Sequence, residues 1–212
     1  VLRRLEADGL PGVKPVGVIT ATDGVLITRY LAFSLPYWYL LARDEGPNVT
    51  ARLLDAAAVL LVRLHLCGVY WGDCSPSNVL FRRDAGALMA YLVDAETSEQ
   101  HATISDGLRQ RDLDIAWENV VGSLLDLQAA GRVPDDVDPM DVADTLRLRY
   151  DELWGELTRT DEFDDAERWR IDKRLRHLSD LGFDVEELAL EQTPTGSTVR
   201  MTPVVIEEGH HA

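Results

Sequence analysis

Cysteine and lysine are both scarce in this sequence. Its two cysteines, Cys67 and Cys74, are too few for a disulfide framework, and no second pair is present to complete a four-ligand zinc site. Lys14 and Lys173 are the only lysines, so almost all of the 21 basic residues are arginine. The cysteine count favours a reducing, cytosolic setting. The lysine count restricts any site that needs an ammonium group.

Long apolar runs are also absent. The longest, Leu53 to Leu66, is interrupted by Asp55, Arg63 and His65. A membrane-spanning helix needs about 20 predominantly apolar residues, so this run is too short and too polar. The first residues show no signal-peptide pattern. Because 46% of the residues are hydrophobic, we expect a globular chain without a membrane span.

Positive charge is deficient in the second half of the chain. The net charge is −16, and residues 1–100 hold 9 basic and 11 acidic groups, against 12 and 26 in residues 101–212. An acidic surface repels nucleic acid and anionic membrane, so neither is an expected partner.

Apolar periodicity predicts the elements of the first hundred residues. The chain begins as the end of a helix, followed by a hairpin of "PVGVIT" and "VLITRYL" around the turn Ala21 to Gly24. An aromatic-rich connector with a short helix precedes a long helix over Thr50 to Cys67, which Gly68 ends. Two short strands, "NVLFRR" and "LMAYLVDAE", then form a second hairpin.

The second half is mainly helical by the same criteria. Helical spacing in "SDGLRQRDLDIAWENVVGSLLDLQAAG" and "DPMDVADTLRLRYDELWGELTR" predicts two helices separated by a proline-containing loop. A third helix is predicted over about Glu162 to Leu181, with acids at its start and bases towards its end. The alternation in "VEELALEQTPTGSTVRMTPVVIE" predicts a C-terminal hairpin with a Thr-Gly turn.

One polar loop combines residues of the kind that phosphoryl transfer requires. In "GVYWGDCSPSNVLF", Asp73 is followed five residues later by Asn78, and Asp94 comes directly after the apolar "AYLV". A polar surface turn would explain the loop by itself. The complete order of helix, loop, strand, turn, strand and aspartate is a more specific pattern and favours a catalytic loop. Transfer of the γ-phosphate of ATP uses one carboxylate to accept the hydroxyl proton and an amide oxygen plus a second carboxylate to hold magnesium.

With these motifs the chain resembles the protein-kinase-like superfamily over about residues 1–130. "GVYWGDCSPSNVLF" and "YLVDAETSE" are similar to the catalytic and metal-binding loops of the lipopolysaccharide kinase family and the RIO kinases. A closer likeness, which extends into "RDLDIAWENV" and the C-terminal hairpin, is to an actinobacterial family of unknown function with a lipopolysaccharide-kinase-like region. The Arg-, Ala- and Asp-rich composition fits a GC-rich genome.

The resemblance implies a role for each residue of the site, with ATP and Mg²⁺ as cofactors. Asp73 would be the catalytic base, and Asn78 and Asp94 the magnesium ligands. Ser75 stands where conventional protein kinases have a lysine, and would either contact phosphate or cap backbone groups of Asn78. The predicted adenine contacts are backbone groups of the hinge residues Arg29, Tyr30 and Leu31.

The implied fold is α+β and kinase-like, with an incomplete small lobe and a mostly helical large lobe. Residues 1–46 would be the remainder of the small lobe and the hinge, residues 47–158 the large lobe, and residues 159–212 an appended helix and β-hairpin module. A kinase small lobe carries a glycine-rich loop, a strand lysine and a helix glutamate. None is evident, since Lys14 follows the first helix in a loop, so we expect these 212 residues to begin within the small lobe.

The leading hypothesis is ATP- and magnesium-dependent phosphoryl transfer to a hydroxyl of a small-molecule or glycan-type acceptor. Ala95 and Glu96 follow Asp94 where protein kinases have Phe-Gly, and no Ala-Pro-Glu motif follows, which disfavours a docked peptide substrate. A pseudokinase or regulatory module whose acidic half binds a protein partner stays open, as does a RIO-like ATPase switch. His65 would pack against the core or hydrogen-bond the backbone of the metal-binding loop.

Overall fold

The computed structural model describes residues 1–212 apart from 21–23, 43–47, 85–86, 159–160, 164–168, 171–172, 174–175, 177–182, 194–195 and 206–212. The chain divides into two compact units, Val1–Tyr150 and Asp151–Ala212. The helices are α1 (Leu2–Ala7), α2 (Tyr37–Ala42), α3 (Val49–Leu66), α4 (Asp106–Ala129) and α5 (Pro139–Thr158). The strands that precede residue 150 are β1 (Pro15–Thr20), β2 (Gly24–Thr28), β3 (Ser34–Pro36), β4 (Val69–Tyr70), β5 (Val79–Asp84), β6 (Ala87–Leu92) and β7 (Glu99–Gln100).

The long helix α3 is the centre of the first unit. Leu60 and Leu64 on one face and Val62 on the opposite face are almost completely buried, which is typical of a helix enclosed by its own domain. The helix ends as predicted at Gly68, whose φ of 75° is in the left-handed region. A Cβ there would lie 2.3 Å from the carbonyl oxygen of His101, so only glycine fits this turn into β4.

A three-stranded antiparallel sheet in the order β3-β5-β6 packs against α3 through β6. The predicted hairpin is confirmed as β5 and β6, in which Val79 pairs with Leu92 and Asp84 with Ala87. Strand β3 was not predicted from the sequence. It pairs with β5 on one side only and ends at Pro36, and a proline is tolerated in such an edge strand because no further partner needs its missing N–H.

The predicted first hairpin is confirmed as β1 and β2, which form a separate two-stranded sheet. Its apolar side chains are exposed on both faces, with Val18 opposite Leu26 on one face and Ile19 opposite Val25 on the other. An isolated two-stranded hairpin is only marginally stable in water. Among the described residues no further strand pairs with this hairpin.

The two predicted central helices are confirmed as α4 and α5. The side chain of Ser105 accepts a hydrogen bond from the backbone N–H of Leu108 at 3.3 Å and so caps the start of α4, where Asp106 also suits the helix dipole. No helix in the described part of the chain combines the length and the apolar character that a membrane crossing demands.

The second unit contains a three-stranded antiparallel sheet in the order β8-β10-β9, made of β8 (Asp161–Phe163), β9 (Phe183–Thr193) and β10 (Gly196–Val205). The predicted C-terminal hairpin is confirmed, although residue 195 of its turn lies outside the described residues. The predicted start of the third helix is wrong, because Glu162 pairs with Thr198 in the sheet and this pairing overrides the local helical pattern. Most of the predicted helix lies outside the described residues, and residues 169, 170, 173 and 176 are helical. The domain boundaries after residues 46 and 158 stay predictions.

Candidate active site

The polar loop between α3 and β5 is held in place by the segment that follows β6. The backbone of Gly72 has a φ of 81°, and a Cβ at this position would lie 2.9 Å from the carbonyl oxygen of Thr97. The hydroxyl of Thr97 donates a hydrogen bond to the carbonyl oxygen of Trp71 at 2.9 Å. The residue before Asp73 is therefore a glycine for steric reasons, and the chain on both sides of it is fixed.

A buried carboxylate on α4 binds the same loop from another side. Asp112 is fully buried and accepts hydrogen bonds from the backbone N–H groups of Trp71 and Gly72, both at 2.8 Å. Its two oxygens take one N–H each. Hydrogen bonds to a charged acceptor are about twice as strong as neutral ones, so Asp112 fixes the peptide that leads into Asp73.

Asp112 also belongs to a buried polar chain. The Nε2 atom of His65 lies 3.1 Å from the Oδ2 atom of Asp112, and the Nδ1 atom of His65 lies 2.6 Å from the hydroxyl oxygen of Tyr150. His65 thus reaches the catalytic loop through Asp112 rather than through the backbone of the metal-binding loop. The sequence interpretation missed Asp112 and Tyr150. A signal for Asp112 was available, because it lies one helical turn before the buried Ala116 and is therefore an acidic residue on the apolar face of its helix.

Asp73 and Asn78 are brought together by a short 3-10 turn over Pro76–Asn78. The side-chain amide of Asn78 donates a hydrogen bond to the Oδ2 atom of Asp73 at 3.0 Å. The carbonyl oxygen of Ser75 accepts from the backbone N–H of Asn78 at 3.0 Å, and its hydroxyl accepts from the N–H of Ser77 at 3.3 Å. Ser75 thus caps the backbone N–H of Ser77 with its side chain, whereas it binds the backbone N–H of Asn78 with its own carbonyl group.

Asp94 reaches the same end of the β5-β6 hairpin. The pairing of Val79 with Leu92 continues in a hydrogen bond from the N–H of Val93 to the carbonyl oxygen of Asn78 at 2.9 Å. Asp94 is the next residue, its side chain is exposed, and its Oδ1 atom accepts from the backbone N–H of Glu96 at 3.0 Å. The structure therefore brings the three predicted polar residues to one end of one hairpin.

The donor set suits a hard cation that keeps other ligands. Because the amide nitrogen of Asn78 is turned to Asp73, its amide oxygen points away from that carboxylate. This oxygen and the carboxylate of Asp94 are of the ligand type that Mg²⁺ prefers, and they would hold the ion if it binds here. Among the residues that the structure describes, no three His, Cys, Asp or Glu side chains are grouped to hold a metal ion. Mg²⁺ commonly binds through one or two carboxylates, water and substrate phosphates, so this arrangement fits magnesium better than a metal caged entirely by protein.

The predicted hinge residues lie in the connection between β2 and β3. The N–H of Arg29 donates to the carbonyl oxygen of Lys14 at 2.7 Å, and the carbonyl oxygen of Leu31 accepts from the hydroxyl of Ser34 at 2.9 Å. The side chain of Tyr30 is 86% exposed. Two of the backbone groups expected to contact adenine are thus already engaged within the chain, and the adenine contacts stay a prediction.

Behind the loop an apolar cavity of about 90 Å³ is lined by α3, α4 and loop residues that include Trp71, Cys74 and Pro76. Neither Asp73 nor Asp94 lines it, and a chamber with so few polar atoms does not suit a triphosphate. Burial raises the pKa of Cys74 well above 9.0, and the charge of Asp112, a hydrogen bond to it and the charge of Asp73 raise it further. Cys74 is therefore a neutral thiol at neutral pH, in keeping with a structural role.

Comparisons with known proteins identify the family and the fold of the chain. Residues 1–117 match the lipopolysaccharide kinase (Kdo/WaaP) family, and residues 152–212 match a domain of unknown function, DUF4032. No curated protein matches the chain in sequence.

The solved structures that are similar to the chain include two kinases. WaaP in complex with acyl carrier protein is 15% identical, with a TM-score of 0.50 over 84% of this chain and 73% of that chain. The Rio2 kinase of Chaetomium thermophilum, solved as an ADP/Mg²⁺-phosphoaspartate complex, is 15% identical, with a TM-score of 0.42 over 84% of this chain and 52% of that one. The likeness to WaaP gives the fold, which is α+β and kinase-like. Since its family model covers more than half of the sequence, this chain belongs to the lipopolysaccharide kinase (Kdo/WaaP) family.

Proposed function

We propose that this chain carries the catalytic half of an ATP- and magnesium-dependent kinase site that transfers a phosphoryl group to a hydroxyl of a small-molecule or glycan-type acceptor. The observation that carries the proposal is the hydrogen bond of 3.0 Å between Asn78 and Asp73, formed at the end of the hairpin that also carries Asp94. A surface turn that is polar by accident gives no reason for a buried Asp112 to clamp its backbone.

In this proposal the residues of the loop have separate tasks. Asp73 accepts the proton of the attacking hydroxyl, and the amide of Asn78 keeps the Asp73 carboxylate turned towards the acceptor. The amide oxygen of Asn78 and the carboxylate of Asp94 would hold Mg²⁺. When bound, that ion offsets negative charge on the phosphates.

The nature of the acceptor is inferred from the family and from the missing peptide-docking motif. The chain belongs to the lipopolysaccharide kinase family, and it lacks the Ala-Pro-Glu motif of protein kinases. This supports a glycan-type or small-molecule hydroxyl. The acyl carrier protein bound to WaaP makes a protein partner for this chain a second part of the proposal.

A second candidate function is a binding module of pseudokinase type. One observation favours it: Ser75 occupies the position of the kinase lysine in the loop, and its hydroxyl is hydrogen-bonded to Ser77 at 2.7 Å. Of the two lysines in the sequence, Lys14 is exposed and precedes β1. A cation at the position of Ser75, and a cation for the α- and β-phosphates in place of the strand lysine, would then come from arginine or from another polypeptide segment.

Nucleotide-dependent thermal stabilisation distinguishes the two functions. ATP at ten times its dissociation constant stabilises the folded state by about 1.4 kcal/mol, which corresponds to a rise of roughly 3–6 °C in Tm for a chain of this size. We expect this rise only when Mg²⁺ is present, and we expect Asp94→Asn to abolish it because the substitution removes a magnesium ligand.

Asp84→Asn is the matched control, since it makes the same change of charge at the opposite end of the same hairpin. It should keep the full rise in Tm. A rise that persists unchanged in Asp94→Asn would remove Asp94 from the metal site, and a magnesium-independent rise would favour the binding module. Formation of ADP with a hydroxyl-bearing acceptor present then separates a kinase from a nucleotide-binding scaffold.

A further inference from the structure

We propose that Tyr150 is a positioning residue for this site, because a directed chain of hydrogen bonds from Tyr150 through His65 to Asp112 fixes the loop that carries Asp73. The inference deepens the proposed function and rests on it for its catalytic consequence. The effect of Tyr150 on the position of the loop rests on the hydrogen bonds alone and does not depend on that function.

The direction of each hydrogen bond follows from the chemistry of its ends. A carboxylate can only accept, so the Nε2 atom of His65, 3.1 Å from the Oδ2 atom of Asp112, is the donor of that hydrogen bond. The hydroxyl hydrogen of Tyr150 is then directed to the Nδ1 atom of His65, 2.6 Å away. Nδ1 is therefore the acceptor and Nε2 the donor in this chain, which corresponds to the ring tautomer with its proton on Nε2.

The other position of the His65 ring proton, on Nδ1, would be unfavourable next to Asp112. If Nδ1 carried the only ring proton, the lone pair of Nε2 would face the Oδ2 atom of Asp112, which also accepts from the N–H of Trp71. Two acceptors facing each other in a fully buried site are strongly unfavourable. Asp112 thus fixes the tautomer of His65, and with it the direction of the hydrogen bond from Tyr150.

Burial makes the arrangement rigid. Tyr150 and Asp112 are 0% exposed and His65 is 1% exposed, so water does not compete for these groups. The rings of His65 and Tyr150 meet edge to face with their centroids 5.4 Å apart, and the guanidinium of Arg109 lies 5.8 Å from the centre of the Tyr150 ring. Tyr150 is therefore held by packing on its ring and by the hydrogen bond between its oxygen and His65.

The consequence for the site passes through two backbone groups. Asp112 accepts the N–H groups of Trp71 and Gly72, and the next residue is Asp73. If the His65 ring turns or changes tautomer, Asp112 loses one donor and is free to shift, and both N–H groups move with it. The hydroxyl of Tyr150 thus acts on Asp73 at a distance of three hydrogen bonds.

The first experiment tests the direction of the chain by nitrogen NMR of His65 in the whole protein. We expect a resonance typical of an unprotonated nitrogen for Nδ1 and of a protonated nitrogen for Nε2 at neutral pH. A ring protonated on Nδ1, alone or together with Nε2, would overturn the inference. Tyr150→Phe should broaden or split these signals, because it removes the oxygen and keeps the ring.

The second experiment measures amide hydrogen exchange at Trp71 and Gly72. Tyr150→Phe should speed the exchange of both amides at least 10-fold. Tyr91→Phe is the matched control, since Tyr91 is 2% exposed and its hydroxyl accepts a hydrogen bond of 2.7 Å from Arg82, outside the chain described above. Equal acceleration in both variants would mean a general loss of stability and would refute a positioning role.

The third experiment uses magnesium-dependent ATP hydrolysis, with water as the acceptor, to connect the chain to catalysis. Tyr150→Phe should lower kcat at least 10-fold and leave KM for ATP unchanged, whereas Tyr91→Phe should leave both unchanged. A change in KM alone would contradict the inference. If the unmodified chain neither binds nor hydrolyses ATP, the proposed function fails, but amide exchange still decides whether Tyr150 positions the loop.

Discussion

Replacing Asp112 with asparagine provides a direct test of the buried clamp on the catalytic loop. The substitution keeps the shape of the side chain but turns one acceptor oxygen into an NH₂ donor. In the structure, the Oδ2 atom accepts from Trp71 and His65, and the Oδ1 atom accepts from the N–H of Gly72. Asparagine will therefore place its oxygen at the Oδ2 position and its NH₂ group against the N–H of Gly72.

The expected loss can be worked out from these contacts. A buried donor left without an acceptor costs about 1–3 kcal/mol, and two charged hydrogen bonds that become neutral lose roughly 1 kcal/mol each. Relief from burying a carboxylate offsets part of this, so the expected loss in unfolding free energy is about 2–4 kcal/mol. For a chain of this length that corresponds to a fall of roughly 5–15 °C in Tm.

Thermal unfolding followed by circular dichroism measures the effect, with Asp114→Asn as the control. Asp114 lies two residues further along α4, and its carboxylate is exposed and paired with Arg147. A surface pair of this kind contributes about 0–1 kcal/mol. If Asp112→Asn lowers Tm no more than Asp114→Asn does, then Asp112 does not clamp the loop as described, and the argument for a built site at Asp73 is lost.

The other predictions concern glycine positions and pH. Gly72→Ala should destabilise the fold by about 1–3 kcal/mol in denaturant titrations, because the residue has a positive φ and a Cβ there would press on Thr97. Gly122→Ala should stabilise the fold by up to about 1 kcal/mol, because this exposed helical position has room for a Cβ. A change in unfolding free energy of the same sign in both variants would contradict the loop geometry. Burial, then the charge of Asp112, raise the pKa of Cys74 in the folded state above 9.0, so the unfolded chain releases this proton first and stability should fall as pH rises above 9. In Cys74→Ala the decline of unfolding free energy above pH 9 should be shallower, and an unchanged slope would exclude Cys74 as its source.

Local sequence patterns predicted most elements of the chain. The hairpins formed by β1 and β2 and by β5 and β6 follow from alternating apolar residues, and α3 follows from helical spacing ended by Gly68. The failure at Glu162 has a physical cause. A short acidic segment has a weak preference of its own, and pairing with Thr198 near the far end of the chain decides its conformation.

The sequence alone determined the chemical content of the site: a carboxylate and an amide five residues apart, and a second carboxylate at the end of the next hairpin. These are local relationships, since the turn over Pro76–Asn78 and the β5-β6 register bring them together within about twenty residues. Only the tertiary structure decided what holds the loop. Asp112 contacts the loop from about 40 residues away, and Tyr150 contributes through His65 from about 80 residues away. An acid or a tyrosine in a helical sequence pattern does not predict which distant backbone group or ring it will contact. That partner is chosen by helix packing, because a buried carboxylate is stable only where the folded chain presents enough donors to it.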